Sequence, residues 1–482
     1  MEKKKAEALT LLHTNDIHSH FEQAARIAGY FRRTRAAVPA ERLLAIDCGD
    51  FLDRARIETE GTRGLANRAM LEYLAYDAVT LGNNEGLTFT KPQLDALYEA
   101  APFRVVCANL TDSASGERPA WMKPAAVVEK AGWRIGLIGL TAPFNDFYEP
   151  LGWRASDPFR EAARWVPKLR RQADVVIVLS HLGLRSDERL AAEIQGIDVI
   201  LGAHTHHLLE EPLSIGGTVV CAAGKHGHHL GVLSLSRRED GGLAVAGGCI
   251  ATEGLAPDPE FAALTVRQSE RAARAMSGTI AVLEQPLETA IDREAPLGNL
   301  LAIGVRKATG AEIGLVNAGQ LLDGLPAGPV TERDVHAICP SPINPCAIRL
   351  TGAQLRRALE ESLLPEFIGL EFQGFGFRGK QLGTLCVDGL EWTVDESQPP
   401  MRRVADVRVG GEPLEDEREY RVGTLDMFTF GVGYVGLKEG VVERYLLPEF
   451  IRDVLAERLN DAAAVADCRR PRRRGAAPRQ DG

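Results

Sequence analysis

Residues 9–21 read LTLLHTNDIHSHF: an apolar, β-rich run passes straight into a polar cluster, and a helix-like stretch follows over Ala24–Ala37. The same unit recurs through the first 250 residues. Its apolar runs are Leu9–Leu12, Leu43–Ile46, Ala78–Leu81, Val105–Ala108, Ile135–Leu140, Val175–Leu179, Val199–Leu201 and Val219–Ala222. Helix-like segments lie between them, including Gly64–Leu74 and Pro158–Gln172, the second with an internal Pro167 that predicts a kink. Strands alternating with helices indicate an α/β sheet. The polar clusters then fall at strand carboxyl ends, where open α/β sheets place their ligands.

Beyond this region ATEGLAPDP (Ala251–Pro259) is a linker signal, and Glu260–Met276 reads as one helix. A second α/β region follows, with a strand at Ile280–Leu283, a helix at Leu297–Thr309 and a strand at Glu312–Val316. In Leu350–Leu363, LTGAQLRRALEESL, Thr351 is the expected N-cap of an amphipathic helix. The expected division is a catalytic domain over 6–250, a linker and interdomain helix over 251–277, a second domain over 278–462 and a basic tail over 463–482. CRRPRRRGAAPRQDG, from Cys468, holds six arginines and is read as disordered and solvated.

Composition narrows the function classes. Of the 482 residues 45% are apolar and 25% charged, which fits folded domains rather than disorder or coiled coil. A net charge of −10 offers no surface for coating nucleic acid. Eight cysteines show no CxxC and sit largely in apolar runs, so a reducing compartment is expected. MEKKKAEALTLLHTND has no apolar core of a secretory signal, and no run of about 18 apolar residues predicts a membrane span. The expected location is the cytoplasm. Ten of the 11 histidines precede residue 250, which directs attention to the first half.

Five clusters there follow strands: HTNDIH (Asp16, His18), DCGD (Asp47, Asp50), LGNNEG (Asn83, Asn84, Glu85), LSHLG (His181) and LGAHTHH (His204, His206, His207). Singly, each has a plain reading as a turn, a cap or a core histidine. Together, at one sheet edge, they form a mixed nitrogen and oxygen donor set that suits Zn, Mn, Fe or Co rather than Ca. Two carboxylates, a carboxamide and several imidazoles drawn from them exceed one tetrahedral site and suit two ions sharing a carboxylate. His13 and His20 flank the first cluster, and His226, His228 and His229 lie in GKHGHHLG, read as a glycine turn.

The order DxH, GD, GN, H, GxHxH resembles the calcineurin-like metallophosphoesterase superfamily. LHTNDIHSHF, LVNAG (Leu315–Gly319) and LTGAQLRRALE narrow the resemblance to the 5′-nucleotidase family, in its bacterial two-domain branch without a signal peptide. The resemblance implies an N-terminal αββα sandwich and a C-terminal α/β specificity domain. It implies two divalent ions (Mn, Zn, Co, Fe or Mg), with Asp16, His18 and His206 on the first, Asp50 bridging, and Asn83, His181 and His204 on the second. A bridging hydroxide would attack phosphorus in a phosphate ester or anhydride of a nucleotide-like small molecule. No nucleic-acid or membrane partner is expected.

The chain departs from the family pattern in places. GNHE followed by Phe-Asp is replaced by Gly82-Asn83-Asn84-Glu85-Gly86-Leu87, so Asn84 occupies the catalytic histidine position. Losing a positioned acid costs about 10²–10⁴-fold. The NxGGxR stretch appears as Asn317–Leu322 without its arginine, and Val432 takes the acidic place in Phe430–Tyr434. Candidate substrate contacts are Phe375, Phe377 and Arg378 in QGFGFRGK and Phe428 and Phe430 in MFTFG. The alternative function is a nucleotide- or metabolite-binding protein whose catalysis has weakened or been lost. A nuclease acting on polymer would need a basic groove.

Overall fold

The computed structural model describes residues 8–239 and 241–475. The chain forms two compact units, Met1–Ala273 and Arg274–Gly482.

In the first unit, a seven-stranded sheet has the order Leu243–Ala251, His229–Arg237, Leu9–Thr14, Leu43–Asp47, Ala78–Val79, Arg104–Val106, Met122–Lys123. Leu9–Thr14 runs parallel to Leu43–Asp47 and antiparallel to His229–Arg237. A six-stranded sheet has the order Leu213–Ile215, Thr218–Ala222, Val199–Gly202, Val175–His181, Trp133–Thr141, Ala125–Lys130. The side-chain period of two decides which face meets what. Leu11, Leu44 and Ile46 point inward and share one core with Leu137, Ile177 and Leu201 of the other sheet. Leu12 and Ala45 point the other way, onto Phe21, Ile27 and Phe31 of the helix Phe21–Ala37. Val176 and Val178 meet Ala162 and Val166 of the helix Pro158–Arg170, which runs through Pro167. Two sheets face to face with helices outside make the four layers expected from the resemblance.

The second unit has a five-stranded sheet, Leu385–Asp388, Ile313–Asn317, Glu419–Leu425, Pro345–Thr351, Val441–Tyr445, and a four-stranded sheet with Leu390–Val394 inside it. The helix Pro296–Thr309 lies close on the first of these. At Gly314 a Cβ would stand 2.3 Å from Ala302 O, so only glycine admits the helix at that distance. Thr351 caps its helix as expected: Thr351 Oγ1 accepts from Gln354 N (3.3 Å) and Gln354 Oε1 accepts from Thr351 N (2.8 Å), a capping box.

The basic tail differs from its expected disorder. Residues Ala462–Asp467 are helical, and Arg473–Gly475 adds a parallel strand beside Leu390–Val394. The reason is pairing that sequence proximity hides: the buried Arg472 reaches Asp388 Oδ1 (3.1 Å) and Asp467 Oδ2 (2.5 Å). Residues 476–482 lie outside the described residues.

Candidate metal centre

The five clusters converge at the carboxyl ends of strands in the first unit. Asp16 follows Thr14, Asp50 follows Asp47, Asn83 follows Val79, His181 ends its own strand, and His204 and His206 follow Gly202. Two groups of acidic and imidazole side chains have ligand atoms within 4.8 Å of one another: Asp16, His18 and His206, and Asp16, Asp50 and His181.

The donor atoms define two seats. At the first, His18 Nε2 lies 3.3 Å from His206 Nε2 and 3.8 Å from both Asp16 Oδ1 and Asp50 Oδ2, and His206 Nε2 lies 3.5 Å from Asp16 Oδ1. At the second, Asn83 Oδ1 lies 3.2 Å from His181 Nε2 and 2.9 Å from His204 Nδ1, and His181 Nε2 lies 3.4 Å from Asp50 Oδ2. Asp50 Oδ2 belongs to both. Donors about 2.1 Å from a common ion stand roughly 3.0–3.4 Å from one another, so these spacings suit a shared cation.

Proton accounting points the same way. His181 Nδ1 donates to Cys48 O (2.8 Å), which turns Nε2 toward two acceptors, Asn83 Oδ1 and Asp50 Oδ2. Either a second proton or a metal ion must sit between them. Without an ion the proton wins: burial alone would lower the His181 pKa, but the Asp50 carboxylate beside it pushes it up to about 10. Burial would raise Asp50, and His181 and His18 hold it well below the usual carboxylate range. Asp16 is raised, by burial first and by Asp50 in addition. Burial lowers His204 to about 4 and His206 to about 3, leaving both with a free lone pair at neutral pH. A neutral-imidazole, carboxylate and carboxamide set of this kind fits a borderline divalent ion.

The backbone is distorted to make the site. Asp16, His18, Asp50, His204 and His206 have φ of 50°, 47°, 51°, 75° and 59°, a left-handed region that L-residues rarely adopt. Each such residue costs on the order of 1–3 kcal/mol, and residues of this kind cluster at functional sites.

The sequence names Glu85, His20 and His226 without a supporting role, and does not single out Asn15. Asn15 Nδ2 donates to Asp16 Oδ2 (2.8 Å) and Gly224 O (2.7 Å), orienting the first carboxylate. Glu85 accepts from Gly82 N (2.8 Å), Asp50 N (3.0 Å) and Leu52 N (3.0 Å), tying two ligand loops together. Its place three residues after Gly82 is the one available signal, an N3 acid at a helix start. His20 and His226, read as flank and turn, stack at 4.0 Å between ring centroids beside His18. His207 is exposed and bonds Thr205 (2.8 Å), away from the donor set.

Asn84 stands among the donors but is directed at them. Its backbone N donates to Asp50 Oδ1 (2.7 Å), its Nδ2 donates to Leu52 O (3.2 Å) and lies 3.0 Å from His18 Nδ1, and its Oδ1 accepts from Asn83 Nδ2 (3.3 Å).

The candidate substrate contacts of the second unit divide. Phe428 is fully buried and Phe377 is 4% exposed, stacked on Phe372 at 4.5 Å; both pack in the hydrophobic core of the second unit. Phe375 and Phe430 are 49% and 43% exposed, and their rings stack at 6.0 Å with 28° between planes. Half-buried Arg378 donates from its guanidinium to Phe377 O (3.1 Å).

Comparison with known proteins bears on this site. Residues 9–208 match the calcineurin-like phosphoesterase family, and 277–438 match the 5′-nucleotidase C-terminal domain. The chain is 36% identical over 459 residues to the uncharacterized metallophosphoesterase YunD of Bacillus subtilis (strain 168), covering 94% of this chain and 99% of that one. It is 26% identical over 471 residues to the trifunctional nucleotide phosphoesterase YfkN of the same organism, covering 86% of this chain and 31% of that longer protein. The crystal structure of a 5′-nucleotidase precursor from Thermus thermophilus superposes with a TM-score of 0.61 at 27% identity, over 97% of this chain and 99% of that one. Two sheets in four layers, donors gathered at strand ends and a match along nearly the whole chain agree: the chain belongs to the metallophosphoesterases of the 5′-nucleotidase family and is a phosphoesterase hydrolase.

Proposed function

We propose that this protein hydrolyses phosphate esters or anhydrides of nucleotide-like small molecules, using two divalent ions. The observation that carries the proposal is the sharing of Asp50 Oδ2 between two sets of donors. Asp16, His18 and His206 would hold one ion and Asn83, His181 and His204 the other, with Asp50 common to both. Bound there, the ions supply Lewis acidity and positive charge against the phosphoryl oxygens. The chain's own residues hold the geometry: Asn15 fixes Asp16, Cys48 O fixes the His181 tautomer, and Asn84 fixes Asn83 and Asp50.

The exposed pair Phe375 and Phe430 is the proposed base-stacking surface, worth about 1–3 kcal/mol per base, with Arg378 nearby as a cation. Intact donors at all seven positions argue for catalysis over a binding protein that has lost it. All eight cysteines are free, which fits a reducing compartment and the cytoplasm. Among the described residues no helix is long and apolar enough to cross a membrane.

The test is a panel of nucleotides, dinucleotides and aryl phosphates given to the Mn²⁺-loaded protein with and without chelator. Hydrolysis that stops on chelation supports the proposal. Absence of turnover across the whole panel contradicts it.

A further inference from the structure

The turn joining Thr218–Ala222 to His229–Arg237 carries Gly224, Lys225, His226 and Gly227. Gly224, His226 and Gly227 have φ of 72°, 59° and 69°. Glycine is at ease there, whereas a histidine held in the same region is disfavoured. The turn is locked to the metal loop, because His226 N donates to Asp16 O (2.7 Å). The ring stacks on His20 with 26° between planes and meets His18 edge-on at 5.7 Å and 82°. His206 meets His18 edge-on too, at 5.4 Å. His226 therefore stands beside the first seat. Among the described residues neither of its ring nitrogens has a hydrogen-bond partner.

Asn84 presents the contrast. It holds the position of the family histidine, yet its amide nitrogen is engaged by Leu52 O and its oxygen by Asn83. Both residues border His18, Asn84 through its engaged amide and His226 through its ring.

We propose that His226 donates a hydrogen bond to a phosphoryl oxygen of the substrate at the first seat, replacing the donor lost where Asn84 stands. The inference rests on the hydrolase function proposed above. Neutral or protonated, imidazole carries at least one N–H, so the role does not depend on its titration. A preorganised donor aimed at developing phosphoryl charge acts in the transition state, and a strained backbone at such a position is kept for function.

Three variants of the Mn²⁺-loaded protein test this, read by kcat, by calorimetric affinity for inorganic phosphate and by melting midpoint. His226→Phe keeps a ring to stack on His20 and removes the donor. It should lower kcat by about 10²-fold and weaken phosphate binding by about tenfold or more. His226→Asn, which tolerates left-handed backbone and keeps an N–H, should recover most of both. His226→Gly should lose as much as His226→Phe while melting no lower than wild type. His226→Phe within about twofold of wild type in kcat and phosphate affinity overturns the inference and leaves the hydrolase function standing. If wild type hydrolyses nothing, the hydrolase function fails and calorimetry decides alone: a phosphate affinity weakened about tenfold keeps His226 as a phosphoryl contact, and an unchanged one removes it.

Discussion

Replacing Gly82 with alanine probes the metal loops with a single methyl group. Gly82 has φ −87° and ψ −176°, extended backbone open to any residue, so the substitution carries no conformational strain of its own. Its effect comes from contact alone. A Cβ there would lie 2.0 Å from Asp50 Oδ1, 2.4 Å from Asp50 N and 2.7 Å from Asp50 Cγ. Non-bonded heavy atoms settle at about 3.5 Å, so the carboxylate or the loop must move by roughly 1 Å or more. Neither loop can yield by itself, because Glu85 Oε2 accepts from both Gly82 N and Asp50 N. A misplacement near 1 Å costs about 10²-fold in rate. Steady-state hydrolysis, bound metal by mass spectrometry and circular dichroism form the assay. We expect kcat to fall about 10²-fold and metal content to drop while the fold is kept. Wild-type turnover and metal content in Gly82→Ala would refute the claim that Asp50 must sit where it does.

Three further outcomes are expected. His13 is buried with both ring nitrogens unpartnered among the described residues, and burial lowers its pKa from 6.5 to about 4. The unfolded chain therefore takes up the proton first, so His13 costs no stability above pH 6.5, destabilises progressively as pH falls from 6.5 to about 4, and levels off below that, at about 3 kcal/mol. Urea unfolding of His13→Leu should show a correspondingly flatter acid limb, and an unchanged limb would contradict this. Arg472→Ala removes the pairs to Asp388 and Asp467, leaving Asp388 paired with Arg306 among the described residues, and should cost about 3 kcal/mol in chemical denaturation; a loss near zero would mean that the tail pairing is idle. Phe430→Ala should raise KM for a nucleotide about tenfold with little effect on an aryl phosphate, whereas Phe428→Ala should cost about 3–5 kcal/mol of stability. Equal KM effects from the two would erase the distinction between exposed and buried rings.

How much is legible in the sequence follows from how far apart the partners lie. Asp16, Asp50, Asn83, His181, His204 and His206 are readable because each sits within a few residues of an apolar run, and the topology of an α/β sheet gathers strand ends without further information. His226 is hidden by its own glycines: GKHGHHLG announces a turn, and nothing local says that the turn closes on Asp16, far earlier in the chain. Phe375, Phe377, Phe428 and Phe430 look alike beside glycines, since burial is a property of the fold and not of the dipeptide. The arginine-rich tail looks solvated because Asp388 lies 84 residues from Arg472. Asn84 falls in the site on its spacing, but the direction of an amide is settled by neighbours such as Leu52 O that no spacing rule encodes.

The central claim, two ions sharing one carboxylate, is tested most directly by anomalous diffraction at the manganese edge from crystals grown with Mn²⁺. Two peaks about 3.5–4 Å apart on either side of Asp50 Oδ2 are expected. A single peak, or two peaks with Asp50 bound to neither or only one, would contradict it.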